Sequence, residues 1–257
     1  MVVSISEKIK NHLMPQASSL KVKDVRIGLG YTAVMLANGQ TGVAFTFHDG
    51  MKKGCTIFSG RHPLAGCNAS DLLAYLGSKD RVEMAVALAT ANAIANKMNA
   101  GFVGGDTLEH VPINPGDRVG MVGYFGPVLP RLKKKTSSIL VFEQIKKVGG
   151  DIFPEEDAYL MLPECDVALI TSTSILNHTI DRLLESVKGC REVVLLGAST
   201  PLLPEIFENT AVTFLSGIIV TRPEEILRIV SEGAGMRHFK NNVKKVNARV
   251  KRAIGQG

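Results

Sequence analysis

Three short stretches of the chain combine glycine, hydroxyl and aromatic side chains in a way that could hold a small molecule. The first comprises Gly123, Tyr124, Phe125, Gly126 and Pro127. The second comprises Thr171, Ser172, Thr173, Ser174 and the nearby Asn177, and the third comprises Ser199, Thr200 and Pro201. Aromatic rings stack on flat ligands, and hydroxyl groups hydrogen-bond to their edges. These stretches therefore favour a flat, polar-edged ligand over an isolated ion.

Each stretch follows a short apolar run that is typical of a strand buried on both faces, at residues 118–122, 166–170 and 192–196. Open α/β sheets bind ligands at the carboxyl ends of their parallel strands. We therefore expect the three loops to lie on one rim of a sheet, with the first domain facing them. The spacing G-x-x-G-x-x-G from Gly120 differs from the G-x-G-x-x-G of dinucleotide enzymes, which disfavours a standard nicotinamide site.

Three further polar residues are candidates for the same site. Glu143 ends the next predicted strand, where such folds place an acid against ribose hydroxyls, although a surface glutamate ending a strand is an equal alternative. Asn92 and Asn96 lie one turn apart on an alanine-rich helix that is predicted from Asp80 to about Asn99. They are either the only polar stripe of that helix or the contribution of the first domain to a cleft.

Other residues suggest chemistry less specifically. Asn177 is expected to cap a helix, and His178 is interpreted as a solvent-facing or locally hydrogen-bonded imidazole in preference to a general base. Cys55, His62 and Cys67 lack a C-x-x-C core, so no metal site is predicted there.

The pattern of elements predicts an α/β protein with two domains. Residues 1–112 combine a helix that begins near Ser4, a hairpin turning at Asn38-Gly39 and the alanine-rich helix, which indicates a small α+β domain. Residues 113–257 alternate strands and helices, which predicts a doubly wound, mainly parallel, Rossmann-like sheet. A loop rich in Gly, Asn and Pro separates the two.

The basic charge of the chain is concentrated at its C-terminus. Residues 237–257 contain seven Lys or Arg and no acid, while the whole chain carries a net charge of +6. Apolar residues recur there every three or four positions, at Phe239, Val243, Val246, Val250 and Ile254. This spacing predicts an amphipathic helix over residues 237–252 with a solvated basic face, in preference to a nucleic-acid-binding tail.

Composition narrows the class of protein further. The longest apolar run, residues 84–95, is shorter than the roughly 18 residues that a transmembrane helix needs. Early charged residues disfavour a signal peptide, and four cysteines without close pairing indicate reduced thiols, so a cytoplasmic location is expected. We expect a small-molecule ligand and neither nucleic acid nor membrane as a partner, and leave a homo-oligomer open.

Several motifs together resemble a known family. VGYFGP, ITSTSILNHTID and LLGASTPLLP, preceded by the hairpin GLGYTAVMLANGQTGVAFTF and the helix ATANAIAN, are similar to the "putative heavy-metal chelation" family of uncharacterised prokaryotic proteins, over nearly the whole chain. The resemblance implies an enolase-N-terminal-like domain, a Rossmann-like domain with partial similarity to methyltransferases, and a site where they meet. It also implies metal chelation, or condensation or hydrolysis of pterin-, flavin- or siderophore-like molecules, but not enolase catalysis, because the associated barrel is lacking.

Two classes of function remain open at this point. The favoured one is a small-molecule enzyme that binds a planar heteroaromatic or nucleotide-like ligand, such as a pterin or flavin, between its domains. The alternative is a non-catalytic protein that binds or carries a metal or a metal complex. Few Cys, His and carboxylate side chains cluster in the sequence, which argues against a metal cage made by the protein alone. A metal that is already chelated by an organic ligand stays compatible with this pattern.

Overall fold

The computed structural model describes residues 3–47, 55–144 and 151–251. Its strands are β1 (Val22–Ile27), β2 (Tyr31–Leu36), β3 (Thr41–Phe45), β4 (Phe102–Gly104), β5 (Arg118–Val122), β6 (Ser138–Glu143), β7 (Ile152–Pro154), β8 (Val167–Thr171), β9 (Glu192–Leu196), β10 (Phe214–Val220) and β11 (Val243–Arg249). Its α-helices are α1 (Ile5–Ala17), α2 (Ala69–Leu73), α3 (Arg81–Ala95), α4 (Thr107–His110), α5 (Leu129–Leu132), α6 (Ala158–Met161), α7 (Thr173–Leu176), α8 (Ile180–Ser186), α9 (Pro204–Phe207), α10 (Pro223–Ser231) and α11 (Met236–Phe239).

The first part of the chain forms a three-stranded antiparallel sheet, β1-β2-β3, that packs against helices α3 and α10, while α1 and α2 pack against α3. The predicted turn at Asn38-Gly39 joins β2 to β3, and Gly39 supplies the positive φ of 85° that the turn requires. The apolar alternation before it covers two strands, because the chain reverses at Gly28-Leu29-Gly30 and pairs β1 with β2. The predicted hairpin is thus part of a three-stranded meander.

Helix α3 is the centre of the first domain. The Asp80 carboxylate caps it by accepting hydrogen bonds from the main-chain N–H groups of Val82 and Glu83, as the sequence predicts. All its residues except Arg81 and Glu83 are buried. It lies so close to β3 that a Cβ atom on Gly42 would be 2.1 Å from the main-chain nitrogen of Ala93. Glycine at this position therefore allows the helix and the sheet to touch backbone to backbone.

The second sheet has eight strands in the order β4-β11-β10-β9-β8-β5-β6-β7. Strands β5 to β10 run parallel where they pair, whereas β11 and β4 are antiparallel additions at one side. The predicted α/β class, with a small α+β part and a mainly parallel sheet, is confirmed. Residues 102–104, which we assigned to the first domain, pair with β11 in this second sheet. The boundary between residues 112 and 113 stays a prediction.

The predicted C-terminal helix is wrong over the described residues 237–251, and Arg252 and Ile254 lie outside the described residues. Helix α11 ends at Phe239, and the chain then enters β11, which lies between β10 and β4. Phe239, Val246 and Val250 are buried as expected, but Ala248 is buried as well. Apolar residues four positions apart satisfy a strand period of two as well as a helix period of 3.6. The β-branched valines favour a strand over a helix, and they are the feature of this sequence that distinguishes the two.

No α-helix within these described ranges is long and apolar enough to span a bilayer.

A charge placed on Ala248 distinguishes the strand from a helix. Ala248 lies outside the apolar stripe of the predicted helix, yet it is only 1% exposed in β11. Replacement by glutamate would bury an unpaired carboxylate, so we expect Ala248→Glu to lower the free energy of unfolding by about 3–5 kcal/mol. Urea denaturation measures this loss. Lys244→Glu, at an exposed position of the same strand, should change stability little, and equal tolerance of both substitutions would contradict the strand.

Candidate functional site

A cleft of about 300 Å³ opens where the end of β3 meets the carboxyl ends of β5, β6 and β8. Because β6, β5, β8 and β9 are neighbours and run parallel, the loops after β5, β8 and β9 lie on one rim of the sheet, as predicted. Residues of both domains line the cleft: Phe45, Phe47, Val122, Gly123, Tyr124, Phe125, Phe142, Glu143, Gln144, Glu155, Thr171, Thr173 and Asn177.

The first domain contributes an aromatic wall that the sequence interpretation did not include in the site. The rings of Phe45 and Phe47 meet edge to face with centroids 5.2 Å apart, and the guanidinium of Arg81 lies 5.0 Å from the Phe47 centroid. The apolar alternation of β3 continues past the end of the strand to Phe47. That continuation was the available signal, since two rings at a strand end need something to cover them.

On the second domain, Tyr124 and Phe125 both reach the cleft but differ in their surroundings. Tyr124 is 54% exposed, so its ring is available to a ligand. Phe125 is half-buried and also packs against the hydrophobic cluster that contains Val119 and Met121. Gly126 and Pro127 lie in the turn before α5 and do not line the cleft. Tyr124 is therefore the better candidate for stacking, and Phe125 combines site and core roles.

The close approach of β5 and β8 fixes the start of the Tyr124 loop. Gly123 adopts a φ of 88°, and a Cβ atom on it would lie 3.0 Å from the Thr171 Cβ and Cγ2 atoms. Its N–H donates a 2.8 Å hydrogen bond to the carbonyl of Phe142. Only glycine combines this backbone conformation with so little space.

Glu143 lines the cleft, and its hydrogen bonds hold the loop that begins at Gly123 and Tyr124 in place. Its carboxylate accepts hydrogen bonds from the main-chain N–H of Tyr124 at 2.6 Å and of Gln144 at 2.9 Å. These bonds fix the orientation of the carboxylate and leave each oxygen with further acceptor capacity. Glu143 is thus more than a glutamate that happens to end a strand.

Glu155 is a second acid in the cleft, and the sequence interpretation missed it. It directly follows Pro154, which pairs with Glu143 across β6 and β7. Burial raises the pKa of the Glu155 carboxyl, the charges of Glu143 and Glu156 raise it further, and a hydrogen bond with Gln144 opposes the shift. In the sequence Glu155 begins the acidic run Glu155–Asp157, and such a run is typical of a solvent-exposed turn.

The hydroxyl loop after β8 is partly directed to the cleft and partly to its own backbone. The Thr171 and Thr173 hydroxyls line the cleft and hydrogen-bond to each other at 2.8 Å. Ser174 donates to the Thr171 carbonyl at 2.6 Å, and Ser172 is buried. Asn177 caps the C-terminal end of α7, and its side-chain oxygen accepts hydrogen bonds from Thr179.

His178 lies beside this loop but outside the cleft. Its Nε2 atom is 2.9 Å from the carbonyl oxygen of Ser78 in the first domain. His178 is exposed, which agrees with the solvent-facing alternative, but its hydrogen bond is long-range, because Ser78 lies 100 residues earlier in the chain.

The third predicted loop and the two asparagines do not line the cleft. Their hydrogen bonds connect β3, the end of α3 and the second sheet. Ser199, Thr200 and Pro201 are buried, and the Ser199 hydroxyl accepts a 2.9 Å hydrogen bond from the N–H of Phe45. The Asn96 amide donates to the carbonyls of Thr200 at 3.0 Å and Ile218 at 3.2 Å, and accepts from the Leu202 N–H at 2.8 Å. Asn92 donates to the Val43 carbonyl at 2.8 Å. These bonds position β3, which carries Phe45 and is followed by Phe47.

The fold is a mixed α/β structure in which a small antiparallel sheet and a mainly parallel eight-stranded sheet meet at the cleft. The chain belongs to the DUF364 family, whose model matches residues 106–249 and is described as "Putative heavy-metal chelation". A second family model with the same description, DUF4213, matches residues 10–95.

Relatives extend this likeness over the whole chain without adding an activity. An uncharacterized protein of Methanocaldococcus jannaschii is 26% identical, over 97% of this chain and 98% of its own length. The crystal structure of a DUF364 protein of unknown function from Pyrococcus horikoshii has a TM-score of 0.85 at 26% identity, covering 96% of this chain and all of that one. A DUF364 protein of unknown function from Desulfitobacterium hafniense shares the fold, with a TM-score of 0.76 at 23% identity, covering 95% and 98% of the two chains.

The donor atoms of the described residues do not fit a cage for a soft heavy metal. Within the described ranges, no three Cys, His, Asp or Glu side chains converge on one point. The cleft offers carboxylate, amide and hydroxyl oxygens and no sulfur, and soft metals prefer thiolates. Cys67, Cys165 and Cys190 are buried away from it, and burial raises the pKa of the Cys165 thiol to about 11. We therefore assign no step to a metal held by these residues alone.

The raised pKa of Glu155 predicts a measurable effect on stability. Because the folded-state pKa lies above the ordinary value, the ionised carboxylate destabilises the fold once pH exceeds the unfolded-state pKa, and this cost is complete above the folded-state pKa. Glu155→Gln removes the charge, so the variant should melt at a higher temperature than the wild type near pH 8 and at about the same temperature near pH 4. Thermal unfolding across that range tests this, and a lower melting temperature at the higher pH would contradict it.

Proposed function

We propose that the cleft binds a planar, polar-edged heteroaromatic small molecule, of the pterin, flavin or nucleotide kind, and acts on it as an enzyme. The observation that carries this proposal is the division of the cleft between the two domains. One side consists of aromatic rings, and the other combines the exposed Tyr124 with the oxygens of Glu143, Glu155 and Thr171. Rings favour a flat ligand, and convergent polar atoms fix its orientation.

The acidic pair supports an enzyme in preference to a passive carrier. Glu155 has a raised pKa beside Glu143, whose carboxylate is held by two main-chain N–H groups. Two neighbouring acids with different environments are the usual arrangement for moving a proton to or from a bound molecule. Protonation of a leaving group, or removal of a proton from water, is the chemistry that condensation and hydrolysis need.

The family description supports a second candidate, a protein that binds or carries a metal complex. Since the cleft provides oxygens and aromatic rings, the metal would arrive already bound to an organic chelator such as a siderophore-like molecule. Metal analysis of the purified protein separates the candidates. Stoichiometric metal that is retained only together with an organic ligand supports the carrier, whereas a metal-free protein that binds heterocycles supports the enzyme.

Substitution of Tyr124 tests the ligand proposal directly. Because the ring is exposed, Tyr124→Ala should leave the melting temperature nearly unchanged while weakening the binding of a fluorescent planar heterocycle, such as pterin or riboflavin, about tenfold. Tyr124→Phe keeps the ring and should keep the affinity. Phe125→Ala should lose about 2 kcal/mol of stability as well as affinity, since its ring also packs in the core. Binding of neither probe to the wild-type protein, or unchanged affinity in Tyr124→Ala, would contradict the proposal.

A further inference from the structure

We infer that Glu143 and Glu155 make the cleft selective for heterocycles whose edge carries an exocyclic amine beside a ring N–H. This edge is present in 2-amino-4-oxo rings such as pterins and guanines. It is absent from 2,4-dioxo rings such as lumazines and flavins. The inference rests on the proposed function, because it narrows the class of planar ligand that the same cleft takes.

The two carboxyl groups belong to neighbouring strands and reach the same cleft. Glu143 ends β6 and is paired with Pro154 of β7, and Glu155 is the next residue along the chain. Both line the cleft together with Phe47 and Tyr124. A flat molecule between the aromatic side chains would therefore present its edge to the acids.

No basic side chain of a described residue neutralises this pair. Neither glutamate forms an ion pair with any described residue, and no Lys, Arg or His of the described ranges lines the cleft. The bonds that Glu143 already makes come from main-chain N–H groups, which use one lone pair on each oxygen. The remaining lone pairs of the Glu143 carboxylate accept hydrogen bonds, so this group selects donors.

The pattern of donors along the ligand edge then decides between ring types. An amine next to a ring N–H offers two parallel donors, which match the two oxygens of one carboxylate. A 2,4-dioxo ring offers no two adjacent donors, because every N–H of that ring has a carbonyl beside it, which would place a carbonyl oxygen against the carboxylate. Phosphates and catecholates are anionic and would be repelled by both glutamates. The acids thus favour neutral or cationic ligands that are rich in N–H groups.

Pterin and lumazine provide a matched pair of probes, because they share one bicyclic ring. They differ at one carbon, which carries an amine in pterin and a carbonyl in lumazine, and at the adjacent N1, which carries a hydrogen only in lumazine. Both are titrated by fluorescence into the wild-type protein at a pH where both are uncharged. We expect pterin to bind at least about tenfold more tightly than lumazine, as sites built around specific hydrogen bonds reject analogues that lack them. Glu143→Gln and Glu155→Gln should lower the ratio of the two affinities toward one.

Glu156→Gln is the matched control, since it removes the same charge from an exposed neighbour that does not line the cleft. It should keep the wild-type preference, and melting temperatures confirm that each variant is folded. Equal affinity for both probes, or tighter binding of lumazine, overturns the inference and leaves the proposed ligand class intact. The same holds for a preference that survives both cleft substitutions. Binding of neither probe overturns the proposed function itself.

Discussion

The buried amide of Asn96 is the contact on which the geometry of the cleft depends. It bonds to the main chain of Thr200, Leu202 and Ile218, so that the end of α3 is held against the second sheet by three hydrogen bonds at a buried position. Breaking one such bond leaves a buried polar group unpaired, which costs more than the bond contributes when it is made. Together with the bond between the Ser199 hydroxyl and the Phe45 N–H, this contact sets where the aromatic wall faces the acids.

The two predicted domains contribute different groups to this site: the first contributes aromatic rings, and the second contributes hydrogen-bond acceptors. The first domain is small and apolar at the end of β3, where the half-buried Phe45 and the neighbouring Phe47 line the cleft. The second supplies acceptors at the carboxyl ends of its parallel strands, the usual ligand position in such sheets. The atoms that the cleft offers are oxygens, and the buried thiols of Cys67, Cys165 and Cys190 do not line it.

The sequence predicted the features that depend on local patterns. Continuous apolar runs identified β5, β8 and β9. Because these strands run parallel, the three loops that follow them lie on one rim of the sheet. The sequence could not predict the roles of Ser199 or Asn96. The same polar side chain can bind a ligand or hydrogen-bond to another part of the chain, and only the fold decides which groups lie next to it. Glu155 escaped notice because a run of acids is normally solvated, and only the pairing of β7 with β6 brings it beside Glu143. The prediction for β11 failed for a different reason, since the spacing of its valines fits both a helix period and a strand period.

A crystal structure of the protein grown with pterin would test the central claim, that the junction of the two domains is a binding site for flat heterocycles. The account predicts ring-shaped density between Tyr124 and the aromatic pair Phe45 and Phe47, with its nitrogen-bearing edge within hydrogen-bonding distance of Glu143. Clear density for the ligand at another surface, with this cleft filled only by water, would contradict it.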